Sequence, residues 1–151
     1  MDASKLNQLR ERLAGDLHLV VLVTTRPGAA DPQVAVVNAG VLDHPVDGRP
    51  VVGLVAHPGA KLVNLRAQPR ATVVARAGWQ WMAARGPVEL SGPDDPGLGL
   101  DVERQRLLLR DIYHAAGGNH PDLDAYDRTM LDDRRCAVLI TPEHLWSNPG
   151  S

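Results

Sequence analysis

The stretch from Val51 to Leu90 constrains the fold more than any other part of the chain. It begins with a short apolar run, Val51 to Ala56, between Pro50 and a His-Pro-Gly sequence, which predicts a buried strand that ends in a turn. Residues Ala60 to Ala67 are good helix formers, and the helix must stop before Pro69 because the residue preceding a proline is driven out of the helical region. The pattern therefore predicts a strand, a tight loop and a short helix in direct succession.

The loop before this short helix is a candidate phosphate site. The first N–H groups of a helix have no partner within the helix, and the helix dipole adds partial positive charge at the same end. Gly59 lies in the loop, Ala60 begins the helix and Lys61 lies in the first turn. A lysine that is simply solvated on a surface helix is the common alternative, and the local pattern leaves both open.

Two further strands are predicted after the helix, over Ala71–Ala75 and Trp79–Leu90, with a turn at Ala77-Gly78. A period of two places Trp79 and Trp81 on one face of the second strand and Gln80 and Met82 on the other. This arrangement favours a tryptophan pair that fills the core or a dimer interface over one that contacts a ligand.

The rest of the chain is predicted to surround this unit within a single domain over residues 1–151, since the length suits one core. The other predicted elements are a helix capped by Ser4 and ended by Gly15, a strand over Leu17–Thr25, its hairpin partner over Gln33–Leu42, a helix over Val102–Ala116, a helix with Pro121 in its first turn, and a last strand over Arg135–Ile140. Because the helices do not alternate with the five or six strands, a small barrel is favoured over a doubly wound sheet.

Charge and hydropathy exclude several kinds of partner. The 16 basic and 18 acidic side chains nearly balance, and the pI is about 6.3, so neither nucleic acid nor an anionic membrane is expected as a partner. No apolar run approaches the roughly 20 residues that cross a bilayer. The N-terminal residues lack the pattern of a signal peptide, so a cytoplasmic protein is expected.

Sequence motifs for other chemistries are missing. The six histidines show no zinc-type spacing, so no metal site is expected. No nucleophile elbow, Walker motif or G-x-G-x-x-G sequence occurs. The single cysteine, Cys136, lies in an apolar run and is predicted to be buried and inert. His57, beside the phosphate loop, can meet a cofactor or act as an acid, although a surface turn histidine is the commoner outcome.

The segment AKLVNLRAQPRATVVARAGWQWMAARGPVEL, residues 60–90, resembles the split β-barrel flavin and deazaflavin oxidoreductases. This is the superfamily of pyridoxamine 5′-phosphate oxidase, and the resemblance is to its actinobacterial branch that uses coenzyme F420. Three further segments fit: Asp31–Val34, His120–Tyr126 and Asp132–Arg135. The four blocks occur in the order of the family and cover most of the chain from about Leu17.

The resemblance implies a mainly β, FMN-binding split β-barrel that forms a homodimer. It also implies an oxidoreductase that passes a hydride from reduced deazaflavin to a small unsaturated or conjugated substrate, without assigning a catalytic residue. The cofactor residues that it implies are Gly59, Ala60, Lys61 and Asn64 for the phosphate and Gln33, Val34, Asn38 and the Trp79 strand for the ring, with His57 nearby. Two alternatives stay open: FMN in the same barrel, and a non-catalytic protein that stores or senses the deazaflavin.

The sequence departs from the family at the phosphate loop. Many relatives carry an arginine just before the Ala-Lys pair, and here none lies near Gly59, which predicts a weaker phosphate site. Four other arginines surround the central unit, at positions 66, 70, 76 and 85. They form a solvated face or, as the resemblance allows, meet the acidic polyglutamate tail of the deazaflavin coenzyme.

Overall fold

The computed structural model describes residues 2–149, over which the chain forms eight strands and four helices. The strands are β1 (Leu19–Thr24), β2 (Gln33–Asn38), β3 (Gly40–Asp43), β4 (Pro50–Ala56), β5 (Arg70–Ala77), β6 (Gln80–Ser91), β7 (Cys136–Ile140) and β8 (His144–Ser147). The helices are α1 (Ala3–Gly15), α2 (Ala60–Ala67), α3 (Val102–Ala115) and α4 (Leu123–Asp132). The chain is therefore mainly β, with helices at its margins.

All strand pairs are antiparallel, in the order β2-β1-β5-β6-β7-β4-β3, and β8 also pairs with β6. The long strand β6 is shared by two groups of strands. Its residues 80–87 pair with β5, and its residues 88–91 pair with β7. We call β2, β1, β5, β6 and β8 the first sheet, and β6, β7, β4 and β3 the second sheet. Together they form a split barrel.

The core lies inside the barrel, and a second apolar cluster lies outside it. Val20 and Leu22 of β1 point inward and are almost fully buried, together with Leu9 and Leu13 of α1. Outside the second sheet, helices α3 and α4 cover the other face, and Ile112 is among the buried residues of that cluster. Because both faces of the second sheet are covered, all five residues of β7 are buried.

The outer face of the first sheet carries several exposed or half-buried apolar side chains, although Ala83 at its centre is buried. The strand register aligns one apolar row across its five strands: Val36, Val21, Val74, Ala83 and Trp146. Val36 is 65% exposed in this row, and Val34 is 58% exposed in the next row. We refer to these residues together as the outer face.

Helix α2 and strand β4 lie close to where the sequence predicted them, whereas the strand predicted before β4 does not. Helix α2 spans the predicted residues, and β4 begins one residue earlier than predicted. The predicted strand over Gln33–Leu42 is instead two strands, because the chain leaves the first sheet after β2 and joins the second as β3. At this crossing, a Cβ on Gly40 would lie 2.2 Å from the carbonyl oxygen of Ala115. Only glycine allows this close approach of backbone to backbone.

Two helix starts differ from the prediction. The N-cap of α1 is Asp2 rather than Ser4, since the Asp2 carboxylate accepts a hydrogen bond from the Ser4 amide at 2.9 Å. The N-cap of α4 is Asp122, so Pro121 precedes the helix instead of lying in its first turn. In both cases an aspartate carboxylate satisfies the free amides of the first turn.

Several strands also begin at residues other than those predicted. The first strand begins at Leu19 because Leu17 and His18 adopt left-handed conformations, with φ of 56° and 58°. Trp79 lies in the β5–β6 turn and is 93% exposed, so it is not a core residue and shares no strand face with Trp81. The short strand β8 was not predicted, and the strand count of five or six was too low. The last predicted strand, β7, begins at Cys136, one residue after its predicted start. The Cys136 thiol is buried, as predicted.

Candidate functional site

A groove of about 350 Å³ opens where the end of β4 and the start of α2 meet helices α3 and α4 and the last residues of β2. This volume is in the range of small-molecule sites. The residues that line it are Val37, Asn38, Val55, His57, Lys61, Ile112, Tyr113, Ala116, Tyr126, Met130 and Arg135. Three of the predicted site residues, Asn38, His57 and Lys61, are therefore brought together.

The charged lining of the groove is entirely basic. Lys61, Arg135 and the titratable His57 line it, and none of its lining residues is an aspartate or glutamate. Anionic groups such as phosphate are stabilised where cations converge without competing carboxylates. The groove thus has the charge of an anion site.

The start of α2 adds unpaired amides beside these cations. Each of the other three helices is capped by an aspartate side chain, as in the 2.7 Å bond from the Arg104 amide to Asp101. The N-cap of α2 is Gly59, which has no side chain to cap the helix, and the exposed Ala60 follows it. The N–H groups of this first turn stay available to a ligand next to Lys61.

One wall of the groove is aromatic. Tyr113 of α3 stacks on Tyr126 of α4, with ring centroids 4.6 Å apart and an interplanar angle of 26°. The Tyr126 hydroxyl donates to the carbonyl oxygen of Leu109 at 3.1 Å, and burial raises the pKa of Tyr126 to about 12. Tyr126 is thus a neutral, anchored ring at neutral pH, suited to packing against a flat ligand.

Arg135 is a charged groove residue that the sequence did not identify as a ligand-binding group, as it did not identify Tyr113 and Tyr126. Its Nε is buried and has no hydrogen-bond partner, although the Asp133 carboxylate lies 3.7 Å away. A buried donor without a partner is costly, and an incoming acceptor removes that cost. Its only signal in the sequence was the Asp-Asp-Arg-Arg block of the resemblance. Arg135 gives the groove a second fixed cation in a chain that has no arginine near Gly59.

Two predicted cofactor residues lie in a separate, smaller hollow of about 230 Å³, lined also by Arg26. Asn64 is 1% exposed, and its amide donates to Gln33 Oε1 at 2.6 Å and to Thr24 Oγ1 at 3.3 Å. Arg26 Nε donates to Asn64 Oδ1 at 3.4 Å. These bonds connect α2 to β1 and β2, so the structure gives Asn64 a structural role.

Four other predicted residues, Val34, Gly59, Ala60 and Trp79, do not line the groove. Val34 lies on the outer face, 58% exposed, and Trp79 lies at the exposed β5–β6 turn. Asn38 lines the groove, but its amide nitrogen also donates to the carbonyl oxygen of Leu17 at 3.0 Å. It therefore supports the left-handed turn before β1 in addition to any contact with a ligand.

The four arginines around the central unit all have partners within the chain. Arg66 forms two bonds to Asp95, at 2.9 and 2.7 Å, and Arg70 lies 3.4 Å from Glu143. Arg76 donates to the backbone oxygen of Gly78, and Arg85 donates to Thr72 Oγ1 and lies over the Trp146 ring. These contacts favour a structural role for the four arginines over a role in binding a polyglutamate tail.

Residues 2–149 also lack two other features that would define a site or a membrane segment. Between residues 2 and 149, no group of three or more His, Cys, Asp or Glu side chains is arranged to hold a metal ion. No helix in the same range is long and apolar enough to cross a membrane.

The barrel and its marginal helices have the split β-barrel fold of pyridoxamine 5′-phosphate oxidase-like proteins. One similar solved structure is a pyridoxamine 5′-phosphate oxidase-related, FMN-binding protein from Nostoc punctiforme. It has a TM-score of 0.62 and 14% identity, over 96% of this chain and 82% of that one. No family model matches the sequence.

Two further structures share the fold. A Clostridium acetobutylicum protein related to general stress protein 26, of the pyridoxinephosphate oxidase family, has a TM-score of 0.62 and 15% identity, over 98% of this chain and 90% of that one. A FAD-binding protein from Mesorhizobium loti has a TM-score of 0.54 and 14% identity, over 97% of this chain and 91% of that one. At these identities the similarity establishes the fold alone.

Proposed function

We propose that the protein is an oxidoreductase that binds the reduced deazaflavin coenzyme F420 in the groove and reduces a small unsaturated or conjugated substrate. The observation that carries the proposal is that Lys61 and Arg135 line one groove whose lining includes no carboxylate, beside the uncapped start of α2. The stacked tyrosines supply an apolar wall for a planar ring. Both features fit a cofactor that carries a ring and an anionic tail.

When bound, the coenzyme supplies a hydride, and the residues of the chain supply position and electrostatics. Lys61 and the first-turn amides of α2 bind the phosphate, and Arg135 adds a second charge-assisted bond. Tyr113 and Tyr126 hold the ring and exclude water from one side of it. Tyr126 donates no proton to the substrate, because its hydroxyl is committed to Leu109 and its pKa is about 12. The proton comes from solvent or from the exposed His57.

FMN is the second candidate for the same groove. Among proteins of this fold, one from Nostoc punctiforme is described as FMN-binding. FMN also combines a planar ring with a phosphate, so the same basic residues serve it. A third possibility is a storage or sensing protein, which binds the deazaflavin tightly and turns over no acceptor.

The test is a paired titration of the apo-protein with coenzyme F420 and FMN, following the intrinsic fluorescence of each ligand. Saturable binding of F420 with little binding of FMN supports the proposal, and a preference for FMN refutes the choice of cofactor. Lys61→Ala is expected to weaken binding by about 1 to 3 kcal/mol, or roughly fivefold to 150-fold in Kd. Lys5, on α1, is the other lysine of the chain, and Lys5→Ala provides the matched control.

Equal affinities of the two lysine variants would contradict the assignment of the phosphate to Lys61. If F420 binds, a screen of conjugated acceptors with reduced coenzyme separates a reductase from a storage protein. Oxidation of the coenzyme that depends on both protein and acceptor supports the enzyme.

We also propose that the protein is a homodimer that pairs through the outer face. This face presents exposed Val34 and Val36 on an edge strand, and a contiguous apolar surface of this kind marks an interaction site. The same strand contributes Val37 and Asn38 to the groove, so a partner chain on this face would lie beside the cofactor.

Val36→Glu is expected to give monomers in sedimentation velocity, whereas Val46→Glu, on a loop and 60% exposed, should not. A wild-type protein that sediments as a monomer would rule the dimer out.

A further inference from the structure

A second cavity, of about 310 Å³, lies on the other side of Met130 and Arg135 from the groove. The loop after β6, residues 92–101, forms one wall, and helices α3 and α4 form the others. Its apolar lining includes Pro93, Pro96, Leu100, Val102, Leu109 and Leu131. None of these six residues lines the groove, so the cavity is a distinct space.

Four polar side chains that line this cavity, Ser91, Gln105, Arg106 and Asp127, form hydrogen bonds within the chain. Ser91 Oγ donates to Gln105 Oε1 at 2.6 Å, and Gln105 Nε2 donates back to the Ser91 carbonyl oxygen at 2.9 Å. Asp127 accepts bonds from Arg106 at 3.2 Å and from Arg110 at 2.9 Å. A charged ligand would have to disrupt these pairs without a replacement partner, which is unfavourable.

Two other carboxylates at the cavity have partners, since Asp95 is held by Arg66 at 2.7 Å and Asp101 caps α3. Arg135, which the cavity shares with the groove, lies 3.7 Å from the Asp133 carboxylate, and its Nε has no hydrogen-bond partner. The cavity therefore offers mainly apolar contacts. In contrast to the groove, it presents no set of cations to an anionic ligand.

The mouth of the cavity exposes apolar side chains that the chain itself does not cover. Val102, the first residue of α3, is 82% exposed, and Leu131, near the end of α4, is 69% exposed. Both line the cavity. A compact space walled by one loop and two helices suits a small molecule better than a strand or helix of a partner, which needs a long groove.

We propose that this cavity binds an uncharged, apolar small molecule. The proposal does not depend on the function assigned to the groove.

The probe is phenylnaphthylamine, an uncharged dye whose emission rises in apolar surroundings, with anilinonaphthalene sulfonate as its anionic counterpart. Titration of the full chain, with the dye excited directly, should show saturable binding of phenylnaphthylamine at one site per chain and weaker binding of the anionic dye. Calorimetry should give a negative heat-capacity change, since apolar surface is buried.

Val102→Trp tests the location, because the larger side chain at the mouth can fold into the cavity. It is expected to lower the affinity of phenylnaphthylamine by about tenfold or more. Leu107→Trp is the matched control, since Leu107 lies on the same helix, is 43% exposed and does not line the cavity. This control should bind the dye as the unmodified protein does.

Three results would overturn the proposal. The first is the absence of saturable binding, and the second is equal affinity in the Val102→Trp and Leu107→Trp variants. The third is a loss of dye affinity in Lys61→Ala as large as that in Val102→Trp, which would place the dye in the groove. Because F420 and FMN titrations report on the groove separately, failure of the cavity proposal and failure of the proposed function can be told apart.

Discussion

The buried amide of Asn64 gives the sharpest test of how the candidate site is organised. Asn64→Ala removes the 2.6 Å bond to Gln33 and the 3.3 Å bond to Thr24, whose side chain is buried. The bond from Arg26, at 3.4 Å, is longer than an ordinary hydrogen bond and contributes little. The loss of the short bond costs about 1 kcal/mol, and leaving the Thr24 hydroxyl without its donor costs about 1 kcal/mol more. The free energy of unfolding should therefore fall by about 2 kcal/mol.

The assay is urea unfolding followed by far-ultraviolet circular dichroism, with a lower midpoint and an unchanged slope as the expected result. In thermal unfolding, the melting temperature should fall by roughly 4 to 8 °C. Asn7→Ala is the matched control, because Asn7 is an exposed helical asparagine that accepts one bond, from Arg10 at 3.1 Å. Cofactor affinity should change little in Asn64→Ala. Unchanged stability together with a large loss of affinity would refute the structural role and support the assignment of Asn64 to the phosphate.

Three further predictions follow from single contacts. Gly40→Ala should destabilise the protein by about 2 to 3 kcal/mol, because its Cβ would meet the backbone of Ala115; chemical denaturation measures this. The hydrogen bond from Arg110 holds the pKa of Asp127 below its ordinary 3.8, so this group stabilises the fold above about pH 4, and its contribution is lost as pH falls through the folded-state value. Burial raises the pKa of the Cys136 thiol to about 12, so a dithionitrobenzoate reagent should react with it only after urea unfolds the chain.

Each of these predictions has a control. Gly97→Ala places its Cβ in open space and should be nearly neutral, and an equal loss in both glycine variants would contradict the steric argument. Asp127→Asn should reduce the acid dependence of stability below about pH 4, and an unchanged pH profile would refute the contribution of Asp127. Rapid labelling of Cys136 in the native protein would show that its thiol is accessible.

Local sequence was enough to predict the elements whose ends are set by residues next to them in the chain. Helix α2 ends before Pro69, and β4 lies between proline-containing turns, so both were correctly placed. The break between β2 and β3 could not be predicted this way. It depends on Gly40 passing against the backbone of Ala115, a contact that only the folded chain creates.

The candidate site was predictable in part for the same reason. Lys61 and His57 flank one loop, so a local pattern identified them. Arg135 lies more than seventy residues away in the sequence and reaches the groove only because β7 pairs with β4. For Asn64, the family resemblance implied a phosphate contact, which stays a prediction. The hydrogen bonds of its side chain to β1 and β2 join residues far apart in the chain, so local sequence did not indicate them.

Because the two sheets share β6, their unfolding should be coupled. Residues 80–87 belong to the first sheet and residues 88–91 to the second, so neither sheet can lose its strand pairing without disturbing the other. At the junction, Gly86 packs directly against the Thr141 carbonyl, where an added Cβ would lie only 1.7 Å from the oxygen. The two sheets should therefore unfold in one cooperative transition, with the amides of β6 among the slowest to exchange with solvent.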